Sequence, residues 1–160
     1  MQRNPESGRV SSKIFPTAQD AENAFYEALE RGDLDAMMAV WAEDEEIVCV
    51  HPGGERLTGQ DQVRASWTKI FSGGSRVRVH ISHQVAISGM MIAVHSVQEN
   101  FSLEGEQRGP QGRDSRPAPI VATNVYLRTG AGWRMIVHHA SPAPGQAEPP
   151  RRAGSPKILH

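Results

Sequence analysis

At 160 residues the chain is long enough for one compact domain, and its 38% hydrophobic content is modest because polar, Pro-rich stretches flank a more apolar middle. The 17 Lys and Arg against 18 Asp and Glu give a formal charge of −1 with the signs interspersed, which excludes the electrostatic footprint of a nucleic-acid or anionic-membrane binder. No stretch reaches the roughly 18 apolar residues that span a bilayer, and the first residues show no apolar core of signal-peptide type, so a cytoplasmic location is expected.

In chain order, residues 1–16 carry no sustained periodicity and read as a flexible segment. Thr17 can cap a helix whose apolar positions Ala21, Ala24, Phe25, Ala28 and Leu29 follow helical spacing up to Gly32. Asp33 opens a short second helix with Leu34, Met37, Met38 and Trp41 inward. The apolar run Ile47-Val48-Cys49-Val50 is a strand that closes on His51-Pro52-Gly53, a titratable side chain at a turn. Cys49 is the single cysteine, so there is no internal disulfide; between two valines it reads as a small core residue with a raised thiol pKa rather than a nucleophile. Thr58 or Gly59 starts a third helix, with Val63, Trp67, Ile70 and Phe71 on one face, ending at Gly73-Gly74.

From Ser75 the period changes to two. Val77, Val79 and Ile81 alternate with Arg76, Arg78 and His80, and a second strand around Ile92–Val97 follows a turn at Ser88-Gly89. A Gly-, Arg- and Pro-rich loop leads to Ile120–Arg128 and Trp133–Ala140, a hairpin closed by Thr129-Gly130-Ala131-Gly132. Residues 142–160 are too Pro-rich and too poor in apolar groups to bury themselves and are expected to be disordered. Helices first and antiparallel strands afterwards give an α+β domain over 17–141.

Ala28–Asp35, Trp41-Ala42-Glu43-Asp44, His51-Pro52-Gly53-Gly54, Leu57-Thr58-Gly59 with Val63 and Trp67 after it, and Gly132-Trp133-Arg134 with His138-His139-Ala140-Ser141 together resemble the NTF2-like superfamily, with its SnoaL-like and ketosteroid-isomerase-like members. The resemblance implies a cystatin-like cone: three N-terminal helices packed in a strongly curved antiparallel sheet, four strands long and one short, around a pocket. It does not imply one activity, since the fold hosts isomerases, cyclases, dehydratases and non-catalytic binding modules. In the isomerases an aspartate before a proline is the general base and a first-helix tyrosine donates to the oxyanion. Here His51-Pro52 takes the first place and Phe25 the second, with Tyr26 turned about 100° away on the helix. Loss of an oxyanion donor typically costs roughly 10²–10³ in rate, so steroid isomerisation is disfavoured.

His51 is then either a neutral-pH base or a turn residue that lines the cavity. Strict alternation puts Trp133, Met135, Val137 and His139 on the inner face and His138 outside, so His51 and His139 are the candidate catalytic pair. Asn124, a polar group at a strand centre, is a candidate ligand contact or the partner of a neighbouring histidine. Glu99 shares a face with Ala93, His95 and Val97; an ion pair with Arg78, Arg128 or Arg134 is the favoured reading over an acid–base role. Trp41, Trp67 and Phe25 supply pocket wall, Trp67 being the candidate for stacking on a flat ligand, and Met90 and Met91 read with Met37 and Met38 as gap-fillers. No His-x-x-x-His or paired Cys–His spacing is present, so no metal and no cofactor are expected.

The reading that follows is a small-molecule-binding domain for an apolar or aromatic ligand, with an apolar pocket containing His51. It is expected to dimerise through an arginine-rich outer sheet face carrying Arg78, His80, Asn124, Tyr126, Arg128 and Arg134. Neither nucleic acid nor membrane is expected as a partner. The alternative is an isomerase-, cyclase- or dehydratase-like enzyme in which His51 moves a proton on a ring-bearing substrate.

Overall fold

A computed structural model describes residues 13–43, 46–104 and 117–144. The expected flexible start, most of the Gly-Arg-Pro loop and most of the Pro-rich tail therefore lie outside the described residues. Helix α1 (Ala18–Arg31) is opened by Thr17 and Asp20 in a reciprocal capping box and closed by Gly32 at φ 63°. Asp33 caps α2 (Leu34–Val40) by accepting from the Ala36 N–H at 3.0 Å. Strands β1 (Val48–Val50) and β2 (Arg56–Thr58) precede α3 (Gly59–Phe71), and β3 (Val77–Ser88), β4 (Ile92–Leu103), β5 (Ile120–Thr129) and β6 (Gly132–Pro142) complete the sheet. Among the described residues, no helix is long and apolar enough to cross a membrane.

The six strands are ordered β2-β1-β6-β5-β4-β3. The sheet is mixed rather than wholly antiparallel, because β1 runs parallel to β6 with Cys49 opposite His138. Antiparallel neighbours need only a hairpin, as at β3–β4 and β5–β6, whereas β1 and β6 come from distant parts of the chain and no turn constrains their direction. Arg56–Thr58, read from sequence as the approach to a helix, pairs with β1 as the edge strand β2.

The helices cover one face of the sheet. Phe25, Met37, Val40, Trp41, Ile47, Cys49, Val63 and Trp67 meet Ala93, Val97, Ala122, Tyr126 and Met135 in a single core. Met90 and Met91 do not belong to it: they stand exposed at the β3–β4 turn, where the hairpin projects past the helices.

Two bulges shape the sheet. In β3 the register shifts between Ser82 and Val85, and His83 there takes a left-handed φ of 51°. In β6 it shifts as Val125 pairs with Val137 but Tyr126 pairs with Met135, leaving Ile136 as an extra residue.

Candidate functional site

The β6 bulge decides which histidine faces inward. An extra residue inverts the alternation, so Met135 and His138 both point to the core although they are three apart. His138 is buried and His139 is exposed, the reverse of the order that strict alternation implies. His139 is therefore not a residue of the interior.

Inside the fold, α1 and the inner sheet face enclose a chain of polar side chains. Glu22 and Tyr26, one helical turn apart on the border of the apolar stripe of α1, are both buried. Five donors converge on the Glu22 carboxylate. Oε2 accepts from His95 Nδ1 (2.9 Å), Tyr126 Oη (3.1 Å) and Asn124 Nδ2 (3.3 Å), and Oε1 accepts from Gln84 Nε2 (2.5 Å) and Gln19 Nε2 (3.4 Å). Because Asn124 Nδ2 also donates to Tyr26 Oη at 3.0 Å, its Oδ1 must face His138, which donates from Nδ1 at 2.7 Å. Tyr26 in turn donates to Glu99 Oε1 at 2.7 Å. The result is directional: His138 to Asn124 to Tyr26 to Glu99.

Glu99, only 2% exposed, is thus held by a tyrosine, and among the described residues no arginine pairs with it. Arg78, favoured from sequence as a partner, pairs instead with Glu104 at 3.3 Å, and Arg134 donates to the carbonyls of Lys13 and Trp133. Burial raises the Glu99 carboxyl to about 7, against the opposing Tyr26 hydrogen bond and with a contribution from Glu22. Burial likewise lowers His138 to about 3, assisted by His51 and His139, so its imidazole is neutral. The Tyr26 and Tyr126 hydroxyls are pushed up by the same loss of solvent.

His51 stands at the other end of the interior. Its ring packs edge-on to Trp67 at 4.8 Å, Trp67 on Phe25 at 5.6 Å, and Phe25 on His138 at 4.8 Å, so an aromatic row joins His51 to the polar chain. The Ser66 hydroxyl donates its one proton to the Val63 carbonyl at 2.8 Å, so at 3.0 Å from His51 Nε2 it can only accept. Nε2 therefore carries the imidazole proton and Nδ1 the lone pair. Burial lowers the His51 pKa. Cys49 Sγ, 3.7 Å from Nε2, is fully buried with its thiol raised to about 12, which makes it a core residue and not a nucleophile. The indole N–H groups of Trp41 and Trp67 are buried without a hydrogen-bond partner among the described residues. Among the described residues, no three His, Cys, Asp or Glu side chains are placed to hold a metal ion.

A cavity of about 590 Å³ lies between α1 and β3, with Glu22 and Tyr26 contributing to its wall and Gln84 reaching over Glu22 from the β3 bulge. His51 does not line it. Of the residues singled out from sequence, the structure joins Glu99 and Asn124 through this chain and sets His51, Trp67 and Phe25 in the aromatic row, with Trp41 edge-on to Phe25 at 6.4 Å. Sequence reasoning missed Glu22, Tyr26, Tyr126 and Gln84. The signal for the first two was their spacing of four beside an apolar stripe.

Residues 19–145 match the SnoaL-like domain family. The chain belongs to that family. Within the NTF2-like superfamily, whose cystatin-like fold it shares, this SnoaL-like domain is 38% identical to a candidate calcium/calmodulin-dependent protein kinase type II association domain from Thiobacillus denitrificans, with a TM-score of 0.69 over 82% of this chain and 98% of that one. It is 30% identical to a candidate dehydratase of the NTF2-like family from Streptomyces avermitilis, with a TM-score of 0.66 over 78% of this chain and 92% of that one. It is also 24% identical over 119 residues to the F-box protein SKIP8 of Arabidopsis thaliana, a match that takes in 73% of this chain and 46% of that protein. The chain thus spans less than half the length of that curated relative.

Proposed function

We propose that the chain is a cytoplasmic, homodimeric SnoaL-like domain that binds a small molecule in the groove between α1 and β3. One observation carries the binding reading: the 590 Å³ groove reaches two buried side chains, Glu22 and Tyr26, that are tied into a fully directed polar chain. Aliphatic side chains of the same shape would stabilise the core at least as well, so polar groups set in a concave site are better accounted for by a ligand than by stability. A metabolite library screened by thermal shift, with hits mapped by NMR onto the Tyr26 and Gln84 amides, tests it. Hits that map elsewhere, or none at all, reject it.

The dimer rests on the outer sheet face. Ile87, Val94, Val125, Val137 and Val48 lie opposite one another on β3, β4, β5, β6 and β1, an aliphatic row crossing five strands. Asn124, Tyr126 and Arg134, expected from sequence on this face, are buried instead, whereas Arg78 and His80 stay exposed beside the aliphatic row, so the face offered mixes an apolar centre with polar groups. The name of the Thiobacillus denitrificans relative, an association domain, supports a self-associating role.

A second reading is favoured by the His51 tautomer. A neutral imidazole with Nε2–H held by Ser66 keeps Nδ1 as a base, and the Streptomyces avermitilis relative is a candidate dehydratase. Under this reading His51→Gln abolishes turnover of a compound found in the screen while leaving its affinity within a fewfold. Unchanged turnover sinks it.

A further inference from the structure

We infer that the α1–β3 groove takes an organic cation, an ammonium-bearing small molecule, whose positive charge answers the two buried carboxyl groups Glu22 and Glu99. The inference rests on the binding reading above and names its ligand class.

Two observations meet here. The first is the charge of the lining: Glu22, Glu27 and Glu30 border the groove, and no lysine or arginine does so among its described lining residues. The second lies beneath it. Glu22 and Glu99 are 1% and 2% exposed within one hydrogen-bonded network, and the described side chains that reach them are tyrosines, amides and one histidine, His95. Removing a carboxylate from water is costly unless an opposite charge compensates it. Here Glu99 receives one neutral phenol, and Oε1 is the oxygen that phenol occupies. Burial raises this carboxyl to about 7, and among the described residues no cationic side chain pairs with it. Tyr26 sits between that carboxyl and the cavity and adds an aromatic ring, a surface that favours cations.

The outer acids are partly engaged and leave room for this role. Glu27 pairs with Arg31 at the helix surface, and Glu30 accepts from the Val79 N–H of the β3 edge at 2.8 Å. They set the sign of the field at the mouth, while Glu22 and Glu99 set it at the base.

The test uses the full chain and three aromatic probes of one shape: benzylammonium chloride, benzyl alcohol and sodium benzoate. By NMR titration, benzylammonium is expected to shift the Tyr26 and Gln84 amides saturably, benzyl alcohol to bind at least about tenfold more weakly, and benzoate not to bind there. Glu99→Gln, which keeps the acceptor for Tyr26, is expected to lower benzylammonium affinity about tenfold. Affinity for the wild type should rise with pH through about 7 as Glu99 ionises among Glu22, Tyr26, His95 and Tyr126, and this rise should be smaller in the variant, which keeps His83 on the groove wall. If Glu99→Gln does not fold, the doubly substituted Glu27→Gln/Glu30→Gln chain serves in its place, with a smaller loss and stronger dependence on salt in the wild type. Equal binding of benzoate, or benzylammonium affinity unchanged in the variants, overturns the inference. Neutral or anionic metabolites seated in the groove while benzylammonium is silent overturn it and leave the binding reading standing; a groove that takes no compound overturns both.

Discussion

Glu99 and His138 titrate in opposite senses at the two ends of one buried chain, and this has a consequence for stability. His138 is lowered from 6.5 to about 3, so the unfolded chain binds the extra proton; the stability of the neutral ring is present above pH 6.5 and is lost as pH falls toward 3. Glu99 is raised from 4.5 to about 7, so its contribution is present below pH 4.5 and is lost as pH rises through 7. Between pH 4.5 and 6.5 the two slopes oppose. Glu99→Gln removes one of them, and the stability of the variant relative to wild type should rise by up to about 1.4 kcal/mol per pH unit across that interval. Urea unfolding at pH 5 and pH 7.5 measures this, and a pH-independent difference contradicts it. Tyr26→Phe deletes the hydroxyl that joins Asn124 to Glu99 and should cost about 1–3 kcal/mol, since it strips a partner from two buried groups.

At the scale of elements, local chemistry and backbone geometry divide the work. Thr17 and Asp20 close the start of α1, and Thr17→Ala should cost about 1 kcal/mol in denaturant unfolding. Gly132, at φ 93° in the β5–β6 turn, has the Phe15 carbonyl oxygen 2.8 Å from where a Cβ would stand, and it pairs there with the segment leading into α1. Gly132→Ala therefore meets both backbone strain and a backbone clash. A loss of about 1–3 kcal/mol is expected, with the hairpin end and the Phe15 anchor the first to exchange amide protons. The two bulges act differently. In β6 the extra residue Ile136 brings His138 inside, and in β3 the bulge at His83 carries Gln84 over Glu22. Neither bulge is visible in residue alternation, because the period of two on each side is intact and only the joint between them is irregular.

The whole molecule presents a helix-covered inner face and an open outer one. The row from Val48 to Ile87, with Val85 and Ile87 61% and 65% exposed, is the apolar surface that dimerisation would bury. Light scattering at micromolar concentration should give twice the monomer's 17.5 kDa, and Val125→Glu, at the middle of the row, should return the mass to the monomer value without loss of helix content. A wild-type monomer refutes the dimer. A variant that stays dimeric places the interface elsewhere.

Much of this was legible in the sequence. The helix caps, the change of period at Ser75, the two hairpins and the order of elements follow from local spacing, and they sufficed for an α+β fold because each depends on neighbours a few residues away; its NTF2-like kind came from the resemblance of motifs such as His51-Pro52-Gly53-Gly54. Glu99 and Asn124 could be marked as polar groups on buried faces, and His51 as a strand-end imidazole, for the same reason. What answers them was decided only in three dimensions. Tyr26 meets Glu99 across 73 residues and Glu22 meets Tyr126 across 104. His138 replaces His139 because one inserted residue inverts the facing of the side chains beyond it, and β1 lies parallel to β6, a direction that no turn between them dictates. Spacing determines which face a side chain takes within its own element; the partners of a buried charge are set by how elements far apart in sequence pack together.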